Sequence, residues 1–249
     1  MYSRLTIVSI ASALAATAVC AQDKPQLTVD ELVAKNVAAK GGADALRALQ
    51  SVRFTGKMLV NEGQFQLAYV ETKKRPGEVR SEATLQSMTA IQAYDGEQAW
   101  KVYPFQGRKD PEKMSSDDLK SMVEDAEIAG PLFDWKSKGE TVTYVGREDV
   151  DGTEAYKLKV VRKNGDVNFV YLDPDAFLEI RRTTQRVEQG AQVEVETDIG
   201  DYEKIAGVFL PFSLESGRKG GPDKQKIVID KAEPNIPVDD TIFKFPTAK

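Results

Sequence analysis

The stretch AYDGEQAWKVYP, residues 93–104, contains two short strand ends on either side of Asp95-Gly96. An Asp-Gly pair readily adopts the positive φ angles of a tight turn, so the stretch predicts a β-hairpin. Trp100, one of two tryptophans in the chain, lies in the second strand. Strand alternation places Trp100 and Val102 on one face and Lys101 on the other, toward water. Trp100 therefore faces either a filled core or a ligand cavity.

The hairpin belongs to a long series of segments in which polar and apolar residues alternate between turn signals. The segments before it are VRFTGKMLV (52–60), QFQLAYVET (64–72) and EVRSEATLQ (78–86). A second series begins after Gly139 and includes FLEIRRTTQ (177–185), AQVEVETDI (191–199), GVFLPFSLES (207–216) and KQKIVID (224–230). About ten strands with one polar face predict an antiparallel meander that curls toward a barrel. No linker separates the two series, which predicts one domain over residues 22–249.

The chain also contains three helical segments, two before the first strand and one between the two strand series. TVDELVAKNVAAKGG (28–42) begins with a capping box, Thr28 and Glu31, and ADALRALQ (43–50) continues after two glycines. MSSDDLKSMVEDAEIAG (114–130) lies between the two strand series. Its apolar residues have the spacing of an amphipathic helix: Leu119, Met122, Val123 and Ala126. This helix, followed by PLFDW (131–135), is either a lid over the open side of the sheet or a helix packed on the core.

The first residues predict a secretory signal peptide over residues 1–21. A positive charge at Arg4 precedes the apolar run Leu5–Val19, which is shorter than the roughly 20 residues of a membrane helix. Cleavage after Ala21 removes Cys20, and TAVC lacks the leucine expected of a lipoprotein signal. We therefore expect an unacylated protein in the periplasm.

Residue types exclude several kinds of chemistry. The chain has no histidine, and its only cysteine is Cys20. Histidine-activated nucleophiles and the usual zinc and copper ligand sets therefore cannot form, and we expect no enzyme activity, no metal and no cofactor. The 39 acidic and 34 basic residues leave a net charge of −5, without a basic stretch suited to nucleic acid. The carboxylates occupy turn and strand positions, and none stands out as a catalytic pair.

Several motifs together resemble the LolA/LolB-type lipoprotein carriers and related exported proteins. KKRPGEVR (73–80) and YDGEQAWKVYP (94–104) match a paired Arg-Pro and DGxxxWxYxP signature. GPLFDWKSKG (130–139), VYLDPDAFLEIRRT (170–183), DYEKIAGVFLPFSL (201–214) and IPVDDTIFKFP (236–246) follow in the expected order.

This resemblance implies a mainly β fold with an α lid: an incomplete antiparallel β-barrel over a hydrophobic cavity, with the N-terminal helices and an inserted helix as the lid. Such proteins carry or sense acyl chains in the periplasm. In the carriers, the arginine matched by Arg75 holds the closed state by bonding to the lid. An aromatic residue four positions later contacts the cargo, whereas this chain has Val79 there.

The leading interpretation is thus a non-enzymatic, chaperone-like carrier that moves the acyl chains of lipoproteins or lipids toward the outer membrane. Its expected partners are membrane donor and acceptor proteins, and we expect it to be a monomer. The alternative is a periplasmic lipid-sensing protein that regulates a protein partner. We predict that Trp100 lies on the concave face, near the cavity. The predicted ligand-binding residues are Arg75, Val79, Trp100, Val102, Leu119, Met122, Val123, Leu132, Phe133 and Trp135.

Overall fold

A computed structural model describes residues 27–188 and 190–246. The predicted signal peptide, residues 1–21, lies outside the described residues. No helix within the described part of the chain is both long and apolar enough to cross a membrane.

The described chain forms thirteen strands. They are β1 (Ser51–Val60), β2 (Phe65–Lys74), β3 (Glu78–Leu85), β4 (Met88–Tyr94), β5 (Ala99–Tyr103), β6 (Arg108–Lys113), β7 (Thr141–Val150), β8 (Thr153–Val161), β9 (Val167–Leu172), β10 (Glu179–Glu188), β11 (Ala191–Ile205), β12 (Val208–Arg218) and β13 (Lys224–Pro234). The sequence predicts about ten. The short β6, RKDPEK, escaped prediction because it contains a proline and lacks apolar alternation.

These strands form a single antiparallel sheet in the order β6-β5-β4-β3-β2-β1-β13-β12-β11-β10-β9-β8-β7. Pairing of β1 with β13 joins two meanders, and β6 and β7 are the two free edges. The sheet is therefore open and does not close into a barrel. Where β1 meets β13, the register shifts at Gly56, where a Cβ atom would lie 2.1 Å from the Val228 carbonyl oxygen.

Three α-helices occur among the described residues: α1 (Val29–Ala39), α2 (Ala43–Ala48) and α3 (Ser116–Asp125). The predicted capping box of α1 is present, because the Thr28 hydroxyl accepts from the Glu31 amide and the Glu31 carboxylate accepts from the Thr28 amide. The Ser115 hydroxyl caps α3 by accepting from the Asp118 amide.

All three helices pack on the same face of the sheet, called here the lid side. Leu32 of α1 joins a core cluster with β7, β8 and β9, whereas Leu46 of α2 packs against β1, β12 and β13. Met122 of α3 packs against Val79 and Ala99, on β3 and β5. The mainly β fold with a helical lid, predicted from the sequence, is confirmed.

The C-terminal segment, residues 235–246, covers part of the opposite face. Its start is held beside β1, because the Asn235 amide donates to the Ser51 carbonyl oxygen. Farther along it, Phe243 is completely buried and lies beside Trp100 of β5. Both faces of the sheet around β5 are thus covered, by α3 on one side and by the C-terminal segment on the other.

Candidate functional site

A cavity of about 440 Å³ lies on the lid side, between the sheet and α3. This volume falls within the range of about 300–1,000 Å³ that is usual for small-molecule sites. Strands from both meanders contribute to its walls, so it forms only where β1 and β13 join them.

One wall of the cavity is apolar. Strand alternation turns every second side chain of β1, β2 and β11–β13 to the lid side, where they line the space together with the end of α2. The wall consists of Leu46, Phe54, Met58, Tyr69, Val195, Ile199, Leu210, Leu214, Ile227 and Ile229. Such a surface suits an acyl chain, because each buried CH₂ group contributes about 0.8 kcal/mol.

The second wall is charged and is built around Glu124 of α3. Its carboxylate lies 3.2 Å from Arg186 Nη2 and accepts a hydrogen bond from the Thr184 hydroxyl at 3.1 Å. The Asn168 side-chain amide also donates to this carboxylate. These contacts fasten α3 to β9 and β10, on the half of the sheet away from its apolar partners Val79 and Ala99.

A second buried group joins α1 to β10. Glu179 lies 2.8 Å from Lys40 Nζ and 2.5 Å from Arg182 Nη2. Burial by itself would raise the pKa of Glu179, but attraction by Lys40 and Arg182 and their hydrogen bonds outweigh it and lower the pKa to about 2. The carboxylate is thus ionised over the whole physiological pH range, and Lys40 also donates to the Ala129 carbonyl oxygen after α3.

Asp125, the last residue of α3, differs from these acids. Its side chain opens onto the cavity, and within the described residues it makes no hydrogen bond or ion pair. The residue is partly open to solvent, but the protein around its carboxylate is the largest influence on its pKa and raises it. Glu71 and Glu124 also raise the pKa, Lys73 and Arg186 lower it, and the result is a pKa of about 6. Asp125 is therefore an unpaired carboxylate that lines the cavity.

Arg75, in the turn between β2 and β3, binds the end of α2. Its Nε donates to the Leu49 carbonyl oxygen and its Nη2 to the Leu46 carbonyl oxygen, each at 3.0 Å. The last carbonyls of a helix lack partners within it and carry partial negative charge, so a guanidinium satisfies both needs. The prediction that Arg75 bonds to backbone carbonyls of the helices over the sheet is confirmed.

The other predicted site residues occupy several places. Val79 and Met122 line the cavity, and Leu119 packs beside them. Val123 is exposed on the outer face of α3. Leu132, Phe133 and Trp135 belong to the cores beneath α1 and α2 and do not line the cavity.

The predicted position of Trp100 on the concave face is wrong. Its indole Nε1 donates to the Phe243 carbonyl oxygen at 2.8 Å, and its ring meets Phe245 edge-on with centroids 6.3 Å apart. Trp100 and Val102 thus lie on the face opposite the cavity. Lys101, predicted to point to water, lies on the lid side with its Nζ 3.1 Å from Asp118 of α3. The alternation is as predicted, but its two faces are exchanged.

The charged wall was missed by sequence reasoning. Glu124 and Asp125 occur in a helix for which only the apolar spacing was interpreted, and Arg182 and Arg186 occur in a strand of ordinary alternation. These ion pairs are visible only in the three-dimensional structure, because partners such as Glu124 and Arg186 are 62 residues apart in the chain. The described residues contain no group of three or more acidic, histidine or cysteine side chains arranged to hold a metal ion.

The fold, with its open antiparallel sheet and helices over one face, is LolA-like. A LolA superfamily protein from Nitrosomonas europaea superposes with a TM-score of 0.58 at 13% identity, covering 88% of this chain and 98% of that one. A DUF1329 family protein from Desulfovibrio piger gives 0.59 at 16% identity, covering 87% and 97%. A Vibrio parahaemolyticus domain named for outer membrane lipoprotein sorting gives 0.55 at 11% identity, covering 86% and 94%.

These likenesses are structural. No family model matches the chain, and no curated protein matches its sequence. At identities of this size, the comparisons establish the fold alone.

Proposed function

We propose that this protein is a non-enzymatic periplasmic carrier that encloses an acyl chain of a lipid or lipoprotein and moves it toward the outer membrane. The observation that supports this most directly is the cavity beneath α3, one wall of which is apolar. The signal peptide predicted from the sequence supports the location, and the LolA-like fold is compatible with the role. The carrier would act as a single-domain monomer. Membrane donor proteins would load it, and membrane acceptor proteins would unload it.

The arrangement suits reversible binding. An acyl chain can lie along the wall that includes Phe54, Met58 and Leu214, while α3 separates it from water. The contacts that hold α3 over the cavity are side-chain pairs such as Glu124–Arg186, which can break without unfolding the sheet. A lid fastened in this way would open for loading and release.

The proposal is tested by titrating the delipidated protein with a long-chain fatty acid that carries a fluorescent reporter at its methyl end. We expect saturable binding. Leu214→Glu, which places a charge on the apolar wall, should weaken it by about tenfold or more, equivalent to about 1.4 kcal/mol. Val145→Glu, at an exposed valine of β7, is the matched control and should bind like the wild type.

Transfer is measured separately, by following a labelled lipid from donor to acceptor vesicles. A carrier should accelerate transfer, whereas a lipid-sensing regulator would bind the lipid without accelerating it. Absence of saturable binding by the folded, delipidated protein would contradict the proposed function altogether.

A further inference from the structure

We propose that the cavity selects amphiphiles whose polar head carries a protonated amine, and that Asp125 accepts this ammonium group. The inference rests on the proposed function, since it concerns the head of the molecule whose chain the apolar wall would hold. It follows from the charges of the cavity wall, which can be counted pair by pair.

Every cationic side chain that lines the cavity already has a carboxylate partner. Lys40 and Arg182 pair with Glu179, at 2.8 and 2.5 Å. Lys73 Nζ lies 3.2 Å from Glu71, and Arg186 Nη2 lies 3.2 Å from Glu124. Arg186 Nε also lies 3.9 Å from Glu188, so the four lining cations face four lining carboxylates and are neutralised before any ligand arrives. Glu127, a further lining acid, pairs with Lys138 and Arg162 outside the cavity.

Asp125 is the charged lining residue that has no such partner among the described residues. The charges that face it come from three elements and offset one another: Glu71 and Lys73 on β2, Glu124 on α3 and Arg186 on β10. The neutral phenol of Tyr69 also lies nearby. The cavity thus presents one uncompensated negative charge, to which a cationic group is complementary.

Position favours the same assignment. Asp125 lies at the C-terminal end of α3 and lines the same cavity as the apolar side chains of β12 and β13. A single-chain amphiphile can therefore lay its chain on the apolar wall while its head reaches Asp125. The partial negative charge at a helix C-terminus also favours a cation there.

An anionic head fits less well. The Nε atoms of Arg182 and Arg186 have no hydrogen-bond partner, but both are buried, and each guanidinium is neutralised by Glu179 or Glu124. A phosphate or carboxylate would have to displace one of these acids and then lie near Asp125. Displacement of a buried ion-pair partner leaves a charge without compensation, which is costly.

An amine of this kind occurs in two classes of amphiphile, which the experiment separates. One is the head of a phospholipid, probed by lysophosphatidylethanolamine against its N-acetylated form with the same chain. The other is the amino terminus of an acylated polypeptide, probed by a short peptide with a lipid on its first side chain and a free or acetylated terminus. In at least one pair, we expect the free amine to bind about tenfold more tightly to the wild type.

The variants tie this preference to one carboxylate. Asp125→Asn should reduce the preference to about twofold or less, since the amide is similar in shape but uncharged. Asp118→Asn, which removes an exposed acid of the same helix, should retain it. The wild-type preference should also fall as pH decreases through about 6, where Asp125 becomes protonated.

The outcomes are distinct. Equal binding of free and acetylated forms in both pairs, or a preference that survives Asp125→Asn, would overturn the inference while leaving the carrier intact. Preference in the first pair assigns the amine to a phospholipid, and preference in the second assigns it to a polypeptide terminus. If no amphiphile of either kind binds, both the inference and the proposed function fail.

Discussion

The indole Nε1 of Trp100 donates a hydrogen bond to the Phe243 carbonyl oxygen, 2.8 Å away, on the sheet face opposite the cavity. This bond joins the hairpin of β4 and β5 to the C-terminal segment. Both residues are buried, so the pair stabilises the convex side of the sheet and has no access to a ligand on the lid side.

Trp100→Phe should therefore affect stability and leave ligand affinity unchanged. The Phe243 carbonyl would lose its donor, which should lower the free energy of unfolding by about 1–3 kcal/mol in urea titrations. Trp135→Phe is the control, because that indole makes no hydrogen bond within the described residues. A Trp100→Phe protein that unfolds like the wild type but binds acyl chains more weakly would contradict this assignment.

Arg75→Leu should loosen α2. The variant leaves the Leu46 and Leu49 carbonyl oxygens without their guanidinium donor, so we expect faster amide hydrogen exchange in α2 and a loss of about 1–3 kcal/mol. Arg47→Leu removes an exposed ion pair with Asp134 and should cost at most about 1 kcal/mol. Similar effects of the two variants would show that the contacts of Arg75 contribute little.

Glu124→Gln should weaken the attachment of α3. The amide cannot neutralise Arg186 and is a poorer acceptor for Thr184, so hydrogen exchange in α3 and the dissociation rate of a bound acyl chain should both increase. Asp118→Asn serves as control, since its pair with Lys101 is more exposed. Unchanged exchange in α3 would indicate that its apolar contacts alone hold it in place.

Asp125→Asn should stabilise the protein at neutral pH. The folded pKa of about 6 lies above the reference value of 3.8, so ionisation of Asp125 disfavours the folded state increasingly as pH rises through this interval. We expect a gain of about 1 kcal/mol at about pH 8, reduced by water in the cavity, and almost none at about pH 4. This gain is measured from urea unfolding midpoints between about pH 4 and pH 8. Asp230→Asn, at an exposed position of β13, is the control. A gain that does not change with pH would contradict its linkage to the ionisation of Asp125.

Gly56→Ala should be severely destabilising. The added Cβ would lie 2.1 Å from the Val228 carbonyl oxygen and 2.8 Å from Ile229 Cα, where β1 joins β13. Separation of these strands should cost about 3 kcal/mol or more. Gly200→Ala provides the matched comparison, since no atom lies within 4 Å of the added carbon. Equal thermal unfolding of the two variants would contradict the close approach.

Local sequence patterns predict the elements of this fold well. The capping box at Thr28 and Glu31, the alternating strands and the amphipathic spacing around Met122 each depend on neighbouring residues, and each is present in the structure. The contact of Arg75 with the helix carbonyls was predicted from the family resemblance and not from a local pattern.

The sequence by itself determined the strands, the helices and the alternation of their side chains, because propensity, capping and period-2 patterning are local properties. Only the tertiary structure decided which face of the sheet encloses the cavity. Alternation shows that Trp100 and Lys101 point to opposite faces of the sheet, but it does not show which face covers the cavity. That Lys101 and not Trp100 faces the lid side depends on where α3 and the C-terminal segment pack. The charged wall likewise depends on the tertiary structure. Its ion pairs join helices and strands that are far apart in the sequence, so no local pattern predicts them.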